Sequence, residues 1–228
     1  MDQPLVQSVK PKTWQDTLYE GAARNKPFLL IFTNILYLML IGIIVFSTVS
    51  AYGDQKLFNF FEVNRAWFGR AALLVLLVVI TPGILGRFNI QIKLTRIITL
   101  YRRRLGILVF SLAFTHYHLI SLPRLTGFEP LKFPYPLFQM FGFYALAILF
   151  FMFITSNNFS VRRLGKWWKR LHRVVYMALL FILLHTALQR TSIWSILAGV
   201  FLVLEVTSLA YAYIKGRSFN NPKLKNPS

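Results

Sequence analysis

Six stretches of nearly unbroken apolar residues alternate with short polar connections, at about Pro27–Ala51, Ala66–Leu85, Leu105–Leu122, Pro136–Ile154, Leu171–Gln189 and Ile193–Ile214. Each is close to the roughly 20 residues that carry an α-helix across a hydrocarbon core. The pattern predicts an all-α integral membrane protein whose six-transmembrane-helix bundle occupies residues 27–214. A polar N-terminal tail (1–26) precedes it, and a basic C-terminal tail (215–228) follows. Composition agrees, with 56% hydrophobic residues and a mean hydropathy of +0.53. Few soluble domains are so apolar.

The punctuation between the segments is specific. Segment 2 is expected to end at Thr81-Pro82-Gly83, where proline and glycine break helices. A basic loop, 87–104, then leads to segment 3, and a proline-rich connection occupies 123–135. The loop after segment 4 opens with Ser156-Asn157-Asn158, a cap-like set, and Trp167 and Trp168 fall where an aromatic belt is expected. Trp14–Tyr19 reads as an interfacial turn at the end of the tail. The 26 polar residues before segment 1, and its length of about 25, point to a retained first helix rather than a cleaved signal.

A net charge of +19 would suit a nucleic-acid partner, but its placement argues for no nucleic acid. Nineteen of the 26 lysines and arginines fall in the two tails and in the loops after segments 2 and 4. The other three connections hold five, with Arg70 and Arg173 inside spans. The positive-inside rule therefore places both termini in the cytoplasm. Membrane lipid is the partner this charge implies. The chain has no cysteine, which excludes disulfides, thiolate metal sites, iron–sulfur clusters and covalent Cys-x-x-Cys-His haem attachment.

Four histidines carry the chemistry. His116 lies about 11 residues, or roughly 17 Å, into segment 3, and His185 about 14 residues, or roughly 21 Å, into segment 5. Both segments run outward, so the two imidazoles are expected at matching depth in the outer half of the membrane. An imidazole in hydrocarbon usually marks a ligand or a proton path. Two from facing helices are an axial set for a low-spin b-type haem; the bland alternative is two histidines each bonded to a neighbouring helix. His172, thirteen residues before His185, is either a second or alternative haem ligand or an interfacial histidine. Its counterparts on segment 3 are Arg102 and Arg103, which do not ligate iron. Thirteen residues also leave His172 and His185 about 220° apart on an ideal helix, so sharing a face needs a bulge or tilt. His118, about 200° round from His116, reads as an outer-boundary residue.

Phe68-Gly69-Arg70-Ala71-Ala72 leading to Thr81-Pro82, and Arg103-Arg104-Leu105-Gly106 before His116, resemble the ferric-reductase-like transmembrane domain. Thr155-Ser156, Arg163-Leu164-Gly165-Lys166, Trp168, Leu171-His172, Tyr176 and His185 narrow the likeness to the MsrQ (YedZ) family of haem-binding membrane subunits. The likeness runs over about residues 65–190. It implies a six-helix b-type cytochrome with His116 and His185 as axial ligands of haem iron, and His172 linked to a second or alternative haem position. It also implies one or two haems b, FMN in some members, and electrons from a cytoplasmic flavin reductase or the quinone pool. They would leave to a periplasmic molybdopterin reductase that repairs oxidised methionine. No flavin or nicotinamide domain follows segment 6, so the expectation is an electron-transfer subunit of the bacterial inner membrane, not a complete enzyme.

Two rival readings remain at this level: a stand-alone transmembrane ferric, cupric or quinone reductase, and a cofactor-free transporter or assembly subunit. Among the charged residues, Arg70 on the outer side and Arg102, Arg103, Arg104 and Arg173 on the inner side suit a propionate, a flavin phosphate or lipid. Glu205, mid-way along segment 6, is read as a protonated carboxyl bonded to a neighbouring helix or as a proton- or quinone-associated group; no basic residue stands out at its depth.

Overall fold

The computed structural model describes residues 14–53, 55–90, 92–127 and 135–219. The expected tail up to residue 13, the loop residue Asp54, most of the proline-rich connection (128–134) and residues 220–228 lie outside the described residues.

Nine helices and no strands occupy the described residues: α1 (Trp14–Arg24), α2 (Lys26–Gly53), α3 (Gln55–Arg87), α4 (Lys93–Leu125), α5 (Leu137–Ile154), α6 (Asn158–Leu164), α7 (Lys166–His172), α8 (Val175–Gln189) and α9 (Ile193–Phe219). Six helical stretches are long and apolar enough to cross a membrane, with α7 and α8 together forming the fifth.

Several elements run further than their hydropathy suggests. The 27 residues of α9 carry it past 214, and α1 makes a helix of what reads as a turn. α3 continues through Pro82 to Arg87. Proline removes one backbone donor, a loss that membrane helices tolerate; Thr81 beside it bonds within its own helix, its Oγ1 donating to the Leu77 carbonyl at 2.7 Å. α4 starts at Lys93, so residues 93–104 of the expected basic loop are helical. Hydropathy locates the edge of the hydrocarbon, not the end of the helix, and at 33 residues α4 is roughly 50 Å long against a core of about 30 Å.

α3 packs most extensively on α4, and α5 on α8. The main core is built from Leu73, Leu76, Leu77, Ile80 and Ile84 of α3 with Val109, Leu149, Val175, Leu179, Ala178 and Ala198 of four other helices. The alanines let helix axes approach, which matters where lipid tails remove the hydrophobic drive for helix association. α2 exposes Phe28, Ile31, Leu38, Val45 and Val49, the face of a helix solvated by lipid.

The arginine-rich ends gather at one end of the bundle, here called the basic face. Tyr37 of α2 donates to the Arg104 carbonyl (2.8 Å), and Arg104 donates to Asn34 Oδ1 (2.8 Å). Arg103 donates to Asn158 Oδ1 of α6 at 2.6 Å. The cap read at Ser156-Asn157-Asn158 is formed by Asn157, whose Oδ1 accepts the Ser160 N–H at 2.8 Å.

Candidate functional site: two facing imidazoles

His116 projects from α4 and His185 from α8, each toward the helix its own packs against most closely. His116 Nδ1 lies 2.8 Å from the Arg65 carbonyl of α3, and His185 Nδ1 lies 2.8 Å from the Phe138 carbonyl of α5. A carbonyl oxygen only accepts, so each Nδ1 carries the proton and each Nε2 keeps a free lone pair. Metal-ligating histidines are usually held this way, because the bond fixes the tautomer and makes the ring a better donor.

The two ring centres are 6.4 Å apart, with their planes inclined at 78°. Metal–imidazole bonds run about 2.0–2.1 Å, and a ring centre lies about 1.1 Å behind its nitrogen, so two trans ligands stand about 6.3 Å apart. The separation and both tautomers therefore fit bis-imidazole ligation of one iron. No group of three or more His, Cys, Asp or Glu is arranged for a bare metal ion among the described residues.

The other histidines are placed differently. His118 Nε2 lies 3.1 Å from Thr48 Oγ1, and that hydroxyl donates to the Ile44 carbonyl at 2.7 Å. Its hydrogen is spent there, so His118 donates to it and faces α2, away from the imidazole pair. His118→Ala is accordingly expected to leave any haem spectrum unchanged; a shifted visible band in that variant would contradict this placement.

His172 ends α7, where its ring lies over Trp168 (4.1 Å between centres) and its Nε2 is 3.4 Å from Oγ1 of Thr155, the C-cap of α5. Trp168 Nε1 donates to the Thr155 carbonyl at 2.9 Å, so this tryptophan is tied to α5, while Trp167 stays exposed. Between α7 and α8 the backbone tightens: Arg173, Val174, Tyr176 and Met177 each bond to the carbonyl three residues back. A 3₁₀ turn advances about 20° more per residue than an α-helix, or about 60–80° over this stretch. That is the local distortion which an ideal helix lacks, and it lets His172 and His185 both reach α5.

Arg102 and Arg103 of α4 act electrostatically on His172. Arg173 caps α7 and, with Gly165, Lys166, Lys169 and Arg170, lines an open cleft of about 500 Å³. At the opposite end, Arg70 lies between Trp67 (4.7 Å) and Trp194 (5.5 Å), joining α3 to α9 by cation–π contacts.

The structure corrects the reading of Glu205. It is 1% exposed and forms an ion pair with Arg87, the last residue of α3. Arg87 also donates to Ser208 Oγ (2.8 Å) and to the Tyr176 hydroxyl (3.1 Å), and Ser208 donates to the Glu205 carbonyl (2.8 Å). Three helices, α3, α8 and α9, meet at this node. Reading Pro82-Gly83 as a helix end assigns Arg87 to a loop and hides the partner. A buried carboxylate in an apolar span is itself the signal that a cation must reach it.

Residues 68–183 match the family described as "Ferric reductase like transmembrane component". A curated relative, the protein-methionine-sulfoxide reductase heme-binding subunit MsrQ of Agrobacterium fabrum, is 38% identical over 100 residues, which cover 41% of this chain. The matched region spans about 45% of that relative's length. No solved structure matches. With more than half its length matched and six membrane-crossing helices, the chain belongs to the ferric-reductase-like transmembrane family and is a multi-pass integral membrane protein; His116 lies within the matched region and His185 two residues beyond it.

Proposed function

We propose that the chain is a haem-b electron-relay subunit of the inner membrane, passing electrons from the cytoplasmic side to a periplasmic methionine-sulfoxide reductase. The observation that carries this reading is the His116–His185 pair: two rings 6.4 Å apart, each with Nδ1 anchored to a carbonyl and Nε2 free. A haem held between them supplies one-electron exchange between ferric and ferrous iron. His116 and His185 would hold it, and the Arg65 and Phe138 carbonyls would fix their tautomers, one of the levers that set potential. The relative's name supports methionine-sulfoxide reduction as the purpose and a methionine-sulfoxide reductase as the partner; that this partner carries molybdopterin is what the family resemblance implies.

The basic face, read by the positive-inside rule as cytoplasmic, is where a flavin reductase, FMN or quinol would deliver electrons. Arg102, Arg103 and Arg173 there, and Arg70 at the other end, are the candidates for phosphate or propionate contacts. All four histidines lie among the described residues, and His118 is spent on α2. His172 therefore has no second imidazole, and we assign one haem per chain. His172→Ala is expected to keep that haem; a fall in haem content to half would show a second site instead.

A stand-alone ferric, cupric or quinone reductase is the second reading, favoured by the family's description. Vesicles enclosing ferricyanide test the relay, with dithionite added outside. Haem-loaded protein should bleach the enclosed dye, and His185→Ala should not; bleaching no faster than in empty vesicles would refute transmembrane electron transfer. Enclosed ferric citrate reduced equally fast, with no partner protein, would favour the second reading.

A further inference from the structure

The two imidazoles are seated by the same device, repeated on two helix pairs. On α3 the carbonyl that accepts from His116 belongs to Arg65, and four residues on stands Gly69. On α5 the carbonyl that accepts from His185 belongs to Phe138, and four residues on stands Gly142. In a helix the carbonyl of residue i already accepts from the N–H of residue i+4. A second donor can reach its other lone pair only where the side chain at i+4 does not cover it.

A methyl group at Gly69 would stand 3.1 Å from His116 Nδ1 and 3.1 Å from its Cε1. At Gly142 the distances to His185 Nδ1 and Cε1 would be 2.8 and 3.0 Å, which the ring could meet only by moving. Glycine in a membrane helix usually serves close helix approach. Here the three nearest atoms at each position are all histidine ring atoms, not backbone of the neighbouring helix. Gly42, Gly86 and Gly106, also within membrane helices, have nothing within 4 Å of such a methyl.

We propose that Gly69 and Gly142 are positioning residues: each opens a notch in its helix through which the ligand imidazole reaches the backbone carbonyl, setting ring angle and donor strength at the haem. This rests on His116 and His185 being the axial ligands. Donation from Nδ1–H makes the ring a stronger ligand and favours ferric iron. Filling the notch weakens that bond, so the midpoint potential rises. Rings inclined at 78° would keep the dxz and dyz orbitals of a bound low-spin ferric iron, which share three electrons, nearly degenerate, giving a strongly anisotropic EPR signal. Tilting one ring toward the plane of the other moves the signal toward an ordinary rhombic one.

The test compares the holoprotein with Gly69→Ala, Gly142→Ala and, as control, Gly42→Ala by redox titration, ferric EPR and haem retention. Both site variants should shift potential upward and change the EPR signal, Gly142→Ala more than Gly69→Ala, while Gly42→Ala matches wild type. Haem affinity in Gly142→Ala should fall about 10- to 100-fold, the usual cost of disturbing a ligand's supporting bond. His116→Ala and His185→Ala run in parallel. If they retain the wild-type spectrum, the ligand assignment itself is wrong. If they lose it while both glycine variants keep the wild-type potential and signal, the ligands stand and the notch is refuted. Should Gly142→Ala not yield folded protein, the milder Gly69→Ala decides by the same two readouts.

Discussion

Replacing His116 or His185 with alanine is expected to abolish the sharp reduced b-type bands and leave a membrane-inserted, largely colourless protein. On the proposed ligation, each substitution removes one of the two histidines that would hold the haem. The loss should exceed the roughly 10- to 100-fold weakening that follows when only a ligand's supporting contact is disturbed. The two variants should be equally severe, because the anchoring is alike: both Nδ1 atoms sit 2.8 Å from a helix carbonyl. Reduced-minus-oxidised spectra with haem quantified per chain check this. Either variant with full haem and unchanged bands would remove that histidine from the iron.

The second large effect lies away from the imidazoles. Arg87→Leu is expected to destabilise the bundle by about 3–5 kcal/mol, because it strands the Glu205 carboxylate in an apolar interior. Arg87 also loses its bonds to Ser208 and Tyr176, so α3, α8 and α9 lose their common tie. The double variant Arg87→Leu/Glu205→Leu should recover most of that loss, since two well-packed apolar side chains can replace a buried ion pair at little cost. Thermal unfolding in detergent, followed by helical circular dichroism, reads both. If the double variant unfolds at or below the temperature of Arg87→Leu, the stranded charge is not the cause.

The six-helix architecture was legible because apolar length is a direct physical requirement of a membrane span. The His116–His185 pairing was legible for a related reason: flanking charge fixes the direction of each segment, and direction fixes depth. The features that escaped are those decided by tertiary contact. Arg87 and Glu205 are 118 residues apart, on segments that do not follow one another, and Pro82-Gly83 suggested a helix end between Arg87 and its own helix. Trp168, read as part of an aromatic belt, is held inward by the Thr155 carbonyl and the His172 ring. Residues 93–104 look like a loop by hydropathy, yet charged residues extend a helix readily once it leaves the hydrocarbon. The angular offset of His172 depends on the tightened turn at 173–174, which no periodicity reveals. Gly69 is legible only as part of the stretch 68–72 and Gly142 not at all; what either does appears only when a histidine from another helix is seen lying against it.

The central claim, one haem b between His116 and His185, is tested most directly by the dithionite-reduced minus oxidised spectrum of the purified chain with haem counted per polypeptide. The account predicts sharp b-type bands at one haem per chain; a protein still colourless after haem supplementation would contradict it.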